Sequence, residues 1–312
     1  MVPVRALGQH PLPRHTVAHL SDPHLLARHR LYGAVDTTEH LRSAMERLTR
    51  LETPPQAIVF TGDLADRAEP DAYRRLREIV EPEAAQMGAE VVWTMGNHDE
   101  PQPFARELWG TEVGPDASLD RVHDVAGLRI VALDTTVPGF HHGELSPAQL
   151  EWLADVLATP AEHGTLLAMH HAPIPVPIVR LSALIELADQ QALAEVVRGT
   201  DVRGVLGGHF HFSSFSTFAG VPVSVASATC YVADPAPTSR FMSSVDGHQS
   251  FTMVHAYDDR LVHSVVPLAG AAEIAGYGMD LAERLEALPQ HEAQRLVSAK
   301  DSPLWAHEEP LD

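Results

Sequence analysis

The sequence has only one cysteine, Cys230, and only one lysine, Lys300, among its 312 residues. A single cysteine excludes a disulfide within the chain and a zinc site built from several thiolates. It also favours a reducing compartment, which we take to be the cytoplasm. We interpret Cys230 as a small buried apolar residue rather than a reactive thiol.

Long apolar runs are missing too. No stretch reaches the roughly 18 apolar residues that a membrane-spanning helix needs, and the first residues, MVPVRALGQHPLPRH, lack the apolar segment of a signal peptide. We therefore expect no integral membrane segment and no secretion signal.

Basic clusters are also absent. The 22 Lys and Arg residues are outnumbered by 42 Asp and Glu, which gives a formal net charge of −20. Such a chain repels nucleic acid and anionic membranes unless it carries a local basic patch. We therefore expect no nucleic-acid partner.

What the sequence does have is a series of short apolar runs typical of buried strands. Amphipathic stretches between them predict helices at Thr38–Leu51, Glu69–Met87, Pro147–Leu157 and Leu187–Arg198. This alternation predicts an α/β fold of stacked sheets flanked by helices. The predicted strands are Thr16–Leu20, Ala57–Thr61, Glu90–Met95, Leu128–Leu133, Thr165–Met169, Gly204–Leu206 and Val221–Ala226.

The chain changes character near its end. Met253–Tyr257 and Leu261–Val266 predict a final hairpin, Ala269–Tyr277 a loop and Met279–Ala299 an amphipathic helix. The Pro-containing acidic end, Ser302–Asp312, is expected to be poorly ordered. We expect a main domain over residues 1–268, followed by a C-terminal helix and acidic tail over 269–312.

The apolar face of the predicted C-terminal helix leaves three roles open. It could pack on the domain, pair with another subunit or touch a membrane surface. Packing on the domain is the interpretation that we favour.

Asp, Asn or His residues follow five of the predicted strands. Ligands bind at the carboxyl edge of α/β sheets, so these five segments should converge on one site. Each residue alone is more often a turn residue or a satisfied polar group, whereas the set together indicates a site. The segments are Ser21-Asp22-Pro23-His24, Gly62-Asp63, Gly96-Asn97-His98-Asp99, His170-His171 and Gly207-Gly208-His209-Phe210-His211.

The residue types in these segments suit a pair of metal ions. Carboxylate and amide oxygens with imidazole nitrogens are ligands for Fe, Mn, Zn or Co. One carboxylate can bridge two ions, and such a pair clamps a phosphoryl group during displacement. Glycines before Asp63, Asn97 and His209 let the backbone approach closely without a Cβ clash. The sequence therefore predicts a dinuclear site.

The ordered series resembles the calcineurin-like metallophosphoesterases over residues ~16 to ~266. That resemblance implies a four-layer α-β-β-α sandwich of two mixed sheets flanked by helices. Within that superfamily the chain is similar to the bacterial class III cyclic nucleotide phosphodiesterases, especially the dimeric actinobacterial type. The stretches that carry this second resemblance are LYGAVD (Leu31–Asp36), GDLAD (Gly62–Asp66), PGFHHGEL (Pro138–Leu145) and SVASATCY (Ser224–Tyr231).

The resemblance implies a role for each matching residue. Asp22, His24 and His211 would bind the first metal, Asn97, His170 and His209 the second, and Asp63 both. His98 would lie near the phosphate without binding metal, Asp99 would orient it, and Asn97, His98 and His142 would contact substrate. The neighbour His171 is a rival to His170, because only one of the two can face the site.

Two further assignments stay open at this point. His141 and His142 belong to a loop that could contact the phosphate, shape the base site or simply be solvated. Asp66 could support the metal ligands or cap the following helix.

The resemblance also implies an activity and its cofactors. We expect a hydrolase that converts 3′,5′-cyclic AMP to AMP, and also cleaves cyclic GMP and 2′,3′-cyclic nucleotides. A hydroxide held by two divalent or trivalent ions, Fe or Mn before Zn or Co, would attack phosphorus. A cytoplasmic homodimer is expected.

Other classes of function remain as alternatives. The same site could act on other small phosphodiesters and monoesters, or belong to a nuclease of the superfamily, although the acidic charge disfavours a nuclease. A non-catalytic interaction module would need a decayed site, and the ligand series is complete.

Overall fold

Strands and helices alternate through the described part of the chain, residues 6–268, 272, 274 and 276–305, in this computed structural model. The strands are β1 (His15–Leu20), β2 (Ala57–Thr61), β3 (Glu90–Thr94), β4 (Arg121–Val125), β5 (Leu128–Leu133), β6 (Thr165–Met169), β7 (Val202–Gly207), β8 (Ser214–Phe218), β9 (Val221–Val225), β10 (Val232–Asp234), β11 (Ser243–Val245), β12 (Ser250–Ala256) and β13 (Leu261–Pro267). The α-helices are α1 (Thr37–Thr49), α2 (Pro70–Met87), α3 (Pro101–Phe104), α4 (Pro147–Leu157), α5 (Gln190–Val197), α6 (Met279–Ala287) and α7 (Gln290–Ser298). Single turns of other helix types cover Ala105–Trp109, Arg180–Leu184 and Pro303–Trp305.

The chain divides into two compact units. The larger is Pro13–Ala269, and the smaller combines Met1–Leu12 with Gly270–Asp312. Both sheets and the predicted metal-ligating residues belong to the larger unit.

Two mixed sheets form the centre of the larger unit. The first has the order β13-β12-β1-β2-β3, and the second has the order β4-β5-β6-β7-β9-β8. Strands β1, β2 and β3 are parallel, as are β5, β6, β7 and β9, while β12, β13, β4 and β8 are antiparallel to their neighbours. A separate hairpin pairs β10 with β11.

Three apolar layers hold the sheets and helices together. One cluster, which includes Val17, Val59 and Leu166, fills the space between the sheets. A second includes Leu41, Phe60 and Leu76 and packs α1 and α2 on the first sheet. A third includes Leu153, Leu167 and Leu193 and packs α4 and α5 on the second sheet. The predicted four-layer α-β-β-α sandwich is confirmed.

Local sequence signals explain where the helices begin and end. The Asp36 side chain accepts the Glu39 N–H at the start of α1. Ser146 and Gln149 form a reciprocal capping box at the start of α4, which is typical of helix N-termini. Helix α2 ends at Gly88, which has a φ of 71° in the left-handed region.

The predicted strands and helices of the main domain are present, and the predicted final hairpin is β12–β13. The apolar pattern missed β4, β8, β10 and β11. Strands β4 and β8 lie at sheet edges, where a strand is only partly covered and needs no continuous apolar run.

The C-terminal helix was predicted wrongly as one continuous element. The structure has α6 and α7, separated where Leu288 adopts extended backbone before Pro289. Proline disfavours helical backbone angles at the residue before it, which explains the break at Leu288. Most of the predicted loop Ala269–Tyr277, and residues 306–312 of the predicted tail, lie outside the described residues.

Within the described residues, no helix combines the length and apolarity needed to cross a bilayer.

Candidate metal centre

The seven side chains predicted as metal ligands converge at the carboxyl ends of parallel strands. Six of them are buried, and Asn97 is partly buried. Because neighbouring parallel strands end at one edge of a sheet, residues distant in sequence meet there. The first sheet supplies Asp22 and His24 after β1, Asp63 after β2 and Asn97 after β3, and the second supplies His170 after β6 and His209 and His211 after β7.

The Asp63 carboxylate lies between histidines from the two sheets. Its Oδ2 is 3.3 Å from His24 Nε2 and 3.4 Å from His170 Nε2. Its Oδ1 accepts the backbone N–H of His98 at 2.8 Å, which fixes the orientation of the carboxylate. A carboxylate oxygen that faces both histidines is suited to bridging two ions.

The other residues form two groups around Asp63. On one side Asp22 Oδ1 is 3.3 Å from His211 Nε2, and the ligand atoms of Asp22, His24, Asp63 and His211 all lie within 4.8 Å of one another. On the other side His170 Nε2 is 3.1 Å from Asn97 Oδ1 and 3.1 Å from His209 Nδ1. The arrangement offers two adjoining sets of N and O ligands.

Each of the four inward-facing histidines is held by its outer ring nitrogen. The outer nitrogen is the one that points away from the centre, and it donates its hydrogen to a neighbouring acceptor. The inner nitrogen, which points into the centre, therefore carries the lone pair that a metal requires. The outer contacts are His24 Nδ1 to Asp66 Oδ1 at 3.1 Å, His170 Nδ1 to the Thr61 carbonyl at 2.7 Å, His209 Nε2 to the Ile185 carbonyl at 2.9 Å and His211 Nδ1 to the Tyr231 carbonyl at 3.1 Å.

Two buried atoms at the centre lack hydrogen-bond partners. They are Asp22 Oδ1 and His24 Nε2, and both face neighbouring acceptor atoms. Buried polar atoms are normally paired, so an orphaned carboxylate oxygen and imidazole nitrogen require another partner. The donor set fits metal ions, as the sequence predicted.

Charge balance keeps the two aspartates ionised. Burial alone would raise the pKa of Asp63, but positive charge on the neighbouring His170 and His24 holds it well below the usual value. Burial likewise opposes ionisation of Asp22, yet His211 and His170 lower its pKa to about 2. These carboxylates therefore provide negative charge for a cation across the physiological pH range.

The backbone is unusual at five of the seven residues. Their φ angles lie in the left-handed region, where residues other than glycine are uncommon. Such conformations persist only where the surrounding structure enforces them, and they cluster at functional sites. The φ angles are 52° at Asp22, 42° at His24, 51° at Asp63, 75° at His209 and 58° at His211.

Two glycines allow the strand-end loops to pack against one another. A Cβ at Gly96 would overlap the backbone nitrogen of Asp63, and a Cβ at Gly208 would overlap Ser21 Oγ. Only glycine fits at such a close approach. This confirms the reason given above for glycine before Asn97 and His209.

The structure places Asp99 differently from its expected position beside His98. Its carboxylate accepts the backbone N–H groups of Leu64, Ala65 and Gly96 and the hydroxyl of Tyr73. Burial, followed by the nearby charge of Asp63, raises its pKa to about 6. These contacts give no support to the expectation that Asp99 orients His98, because the Asp99 side chain turns back onto the loops that carry Asp63 and Asn97.

Asp66 takes the position expected of Asp99. Its Oδ1 is 3.1 Å from His24 Nδ1 and 3.7 Å from His98 Nδ1, and its carbonyl accepts from His98 Nδ1 at 2.9 Å. It does not cap helix α2, whose N-cap is Glu69. Of the two roles left open for Asp66, the structure favours support of the ligands.

The geometry distinguishes His170 from His171. His170 faces Asp63, whereas His171 uses Nδ1 on Thr135 Oγ1 at 2.8 Å and Nε2 on the His141 carbonyl at 3.2 Å. Since both His171 nitrogens are engaged elsewhere, the structure favours His170 as the ligand.

The Pro138–Leu145 loop brings His141, rather than His142, to the centre. His141 Nδ1 is 2.8 Å from Asn97 Nδ2, and its ring lies 5.5 Å from the His98 ring. The His142 ring instead pairs with Glu144 at 3.2 Å and lines a different hollow. A substrate contact from His142 finds no support in this geometry.

Cys230 is fully buried, with Sγ 3.7 Å from His211 Nδ1. Burial, followed by the charge of Asp22, raises the pKa of its thiol well above the usual value. This matches its interpretation as a buried residue.

The pocket in front of the centre has a second wall that the sequence did not reveal. It consists of Ser182, Ile185, Phe210, Phe212, Tyr231, Ala233, Met242 and Ser244. Phe210 and Tyr231 fall within segments quoted in the sequence analysis, but neither was singled out there. The other residues lie on loops and on the β10–β11 hairpin, outside those segments.

The sequence and the fold both match known proteins. The chain matches the calcineurin-like phosphoesterase family over residues 15–213 and belongs to that family. The fold and the site thus define its class.

Two relatives are similar over most of their length. A cAMP/cGMP dual specificity phosphodiesterase of Mycobacterium tuberculosis is 51% identical over 271 residues, 86% of this chain and 85% of that protein. A probable cyclic nucleotide phosphodiesterase of Rhodococcus erythropolis is 48% identical over 276 residues, 88% of this chain and 91% of that protein.

A solved structure shares the fold at low identity. The purple acid phosphatase PPD1 from yellow lupin seeds superposes with a TM-score of 0.57 at 13% identity, over 81% of this chain and 51% of the lupin chain.

Proposed function

We propose that this protein is a metal-dependent phosphodiesterase that hydrolyses 3′,5′-cyclic AMP to AMP, with cyclic GMP and 2′,3′-cyclic nucleotides as further substrates. The observation that carries the proposal is the Asp63 oxygen shared between His24 and His170. A shared carboxylate with flanking N and O ligands is suited to in-line displacement at phosphorus. The names of the two bacterial relatives support a cyclic nucleotide as the substrate.

Two metal ions would occupy the centre. We assign Asp22, His24 and His211 to one ion, Asn97, His170 and His209 to the other, and Asp63 to both. The support is the convergence of these side chains and the anchoring of each histidine by its outer nitrogen. Iron and manganese are our first choices, with zinc or cobalt also compatible with these ligands.

When bound, such ions supply positive charge to the phosphoryl oxygens and make a water molecule nucleophilic near neutral pH. The protein adds groups that position the substrate and move protons. His98 Nδ1 donates to the Asp66 carbonyl at 2.9 Å, so a protonated His98 carries its second proton on Nε2. We assign that proton to the departing alkoxide oxygen.

His141 is suited to hold the phosphate. Asn97 presents Oδ1 to His170, which leaves its Nδ2 as the donor to His141 Nδ1. His141 therefore accepts on Nδ1 and carries its own proton on Nε2. We propose that this proton is donated to a phosphoryl oxygen.

We also propose that the protein is a cytoplasmic homodimer. The support is the sequence resemblance to the dimeric actinobacterial type and the single cysteine. Light scattering on purified protein would test the dimer, and a monomeric mass would contradict it.

A substrate panel tests the activity. We expect purified protein with Mn²⁺ to cleave cyclic AMP faster than a chromogenic phosphodiester or single-stranded DNA, with elemental analysis reporting bound metal. Preference for DNA would instead indicate a nuclease, and preference for the chromogenic ester would indicate a broad phosphodiesterase.

Two variants separate metal binding from proton transfer. Asp63→Ala should lose both metal and activity, whereas His98→Ala should keep metal while kcat falls about 10²- to 10⁴-fold. His291→Ala, at an exposed histidine of α7, is the control. Loss of metal in His98→Ala would contradict the role given to His98.

A further inference from the structure

The pocket in front of the metal centre has two walls of different chemistry. One wall contains the ionisable residues His24, Asp63, His98, His141, His209 and His211 together with Asn97. The other described residues that line the pocket, which form its second wall, carry no charged side chain: they are Ser182, Ile185, Phe210, Phe212, Tyr231, Ala233, Met242 and Ser244. The lining therefore suits a ligand that has both a charged part and an apolar part.

The β10–β11 hairpin supplies half of the eight residues of the uncharged wall, all from one of its faces. Ala233 and Ser244 are cross-strand partners. Successive side chains of a strand point to opposite faces, so Tyr231 and Met242, each two residues from one partner, share that face. All four residues line the pocket.

Tyr231 joins the hairpin to the metal centre. Its ring lies 4.3 Å from the His211 ring, and its hydroxyl is 3.3 Å from the Tyr32 hydroxyl. The position of the hairpin is thus tied to a residue of the site. Met242, by contrast, is 43% exposed.

Phe212 provides a second flat apolar surface in the lining of the pocket. It follows His211 directly, and its ring is 6.4 Å from that of the buried Phe210. Aromatic rings stack on nucleobases whatever their sequence, because every base has a π-face. A thioether such as that of Met242 also makes favourable contacts with aromatic rings.

Resting on the proposed function, we infer that this wall is the subsite for the nucleobase, which it binds through Phe212 and Met242. The polar side-chain atoms on the wall are the hydroxyls of Ser182, Tyr231 and Ser244. A hydroxyl both donates and accepts hydrogen bonds, so these groups accommodate either adenine or guanine. The base contributes binding through its face, and its edge pattern is not read.

Kinetics of Phe212→Ala and Met242→Ala test the inference. The substrates are cyclic AMP, cyclic GMP and a base-free analogue, the 3′,5′-cyclic phosphate of 1-deoxyribose. We expect KM for both nucleotides to rise on the order of tenfold in each variant, with the base-free analogue changed less than about twofold. Met242→Leu, which keeps an apolar side chain, should restore most of the nucleotide binding.

Phe241→Ala is the matched control. Phe241 adjoins Met242, is 55% exposed and does not line the pocket, so its variant should match the wild type with all three substrates. Metal content is measured for every variant, so that a damaged centre is recognised.

The possible failures are distinguishable. If Phe212→Ala and Met242→Ala raise KM for the base-free analogue as much as for the nucleotides, the wall shapes the centre and does not bind the base. If the wild type cleaves the base-free analogue but neither nucleotide, the proposed function itself is wrong. Unequal effects on cyclic AMP and cyclic GMP above about tenfold would show that the base edge is read.

Discussion

At the scale of single residues, the two nitrogens of each histidine at the centre have separate tasks. For His24 the outer nitrogen contacts the Asp66 carboxylate at 3.1 Å, while Nε2 faces Asp63 at 3.3 Å. A carboxylate behind a ligating imidazole fixes its tautomer and raises its basicity. Asp66 is therefore a positioning residue for His24.

We expect Asp66→Ala to weaken metal binding about 10- to 100-fold, because His24 loses the acceptor that holds its ring. The measurement is a calorimetric titration of metal-free protein with Mn²⁺. Asp155→Ala removes an exposed carboxylate from helix α4 and serves as the control. An unchanged affinity in Asp66→Ala would show that His24 needs no such support.

At the scale of elements, the site depends on how closely the loops after the strands approach one another. The loop after β3 passes so near the loop after β2 that a Cβ at Gly96 would overlap the Asp63 backbone nitrogen. Backbone atoms cannot rotate away as a flexible side chain can, so one loop would have to move. Asp63, the proposed bridging carboxylate, lies on one of these two loops.

We expect Gly96→Ala to destabilise the fold by about 1–3 kcal/mol or more, as forced overpacking does. Gly114→Ala is the matched control, because a Cβ at Gly114 has no neighbour within 4 Å. Urea denaturation of both variants gives the two free energies of unfolding. Equal values for Gly96→Ala and Gly114→Ala would mean that the loops have more freedom than the structure shows.

At the scale of the whole molecule, the space between the two sheets contains a histidine as well as apolar side chains. His19 is fully buried and contacts Thr61 Oγ1 at 2.9 Å. Burial, followed by the charge of His263, lowers its pKa to about 3, although Asp22 opposes this. The folded state thus holds His19 neutral, while in the unfolded chain it titrates near 6.5.

The sign of the resulting pH dependence follows from linkage. Because the unfolded chain binds the proton more strongly, the stability contributed by neutral His19 is complete above pH 6.5 and is lost as the pH falls toward 3. From pH 7 to pH 5 this group should lower the free energy of unfolding by up to about 2 kcal/mol. Between pH 7 and pH 5, the free energy of unfolding of His19→Gln should therefore fall by up to about 2 kcal/mol less than that of the wild type.

Urea denaturation at both pH values measures this difference. EDTA in every sample keeps metal release from contributing, and His29→Gln, at an exposed position, is the control. The same pH dependence in His19→Gln and wild type would show that other groups cause the loss.

The sequence by itself determined the strands of the sandwich core and the residues that meet at their ends. Both follow from local signals: a buried strand needs a continuous apolar run, and parallel strands deliver whatever follows them to one edge. The sequence alone therefore predicted that Asp63, His170 and His209 lie close together, although their roles as metal ligands stay a prediction. Edge strands such as β4 and β8 were not predicted, because a partly buried strand needs no continuous apolar run.

Only the tertiary structure decided which way neighbouring side chains point. Asp66 rather than Asp99 lies beside His98, and His141 rather than His142 contacts Asn97. Each choice depends on loop backbone angles and on contacts between segments far apart in sequence, which spacing does not encode. For the same reason the sequence did not show that Met242 lines the pocket. An apolar residue becomes part of a binding site only through the other segments that the fold brings next to it.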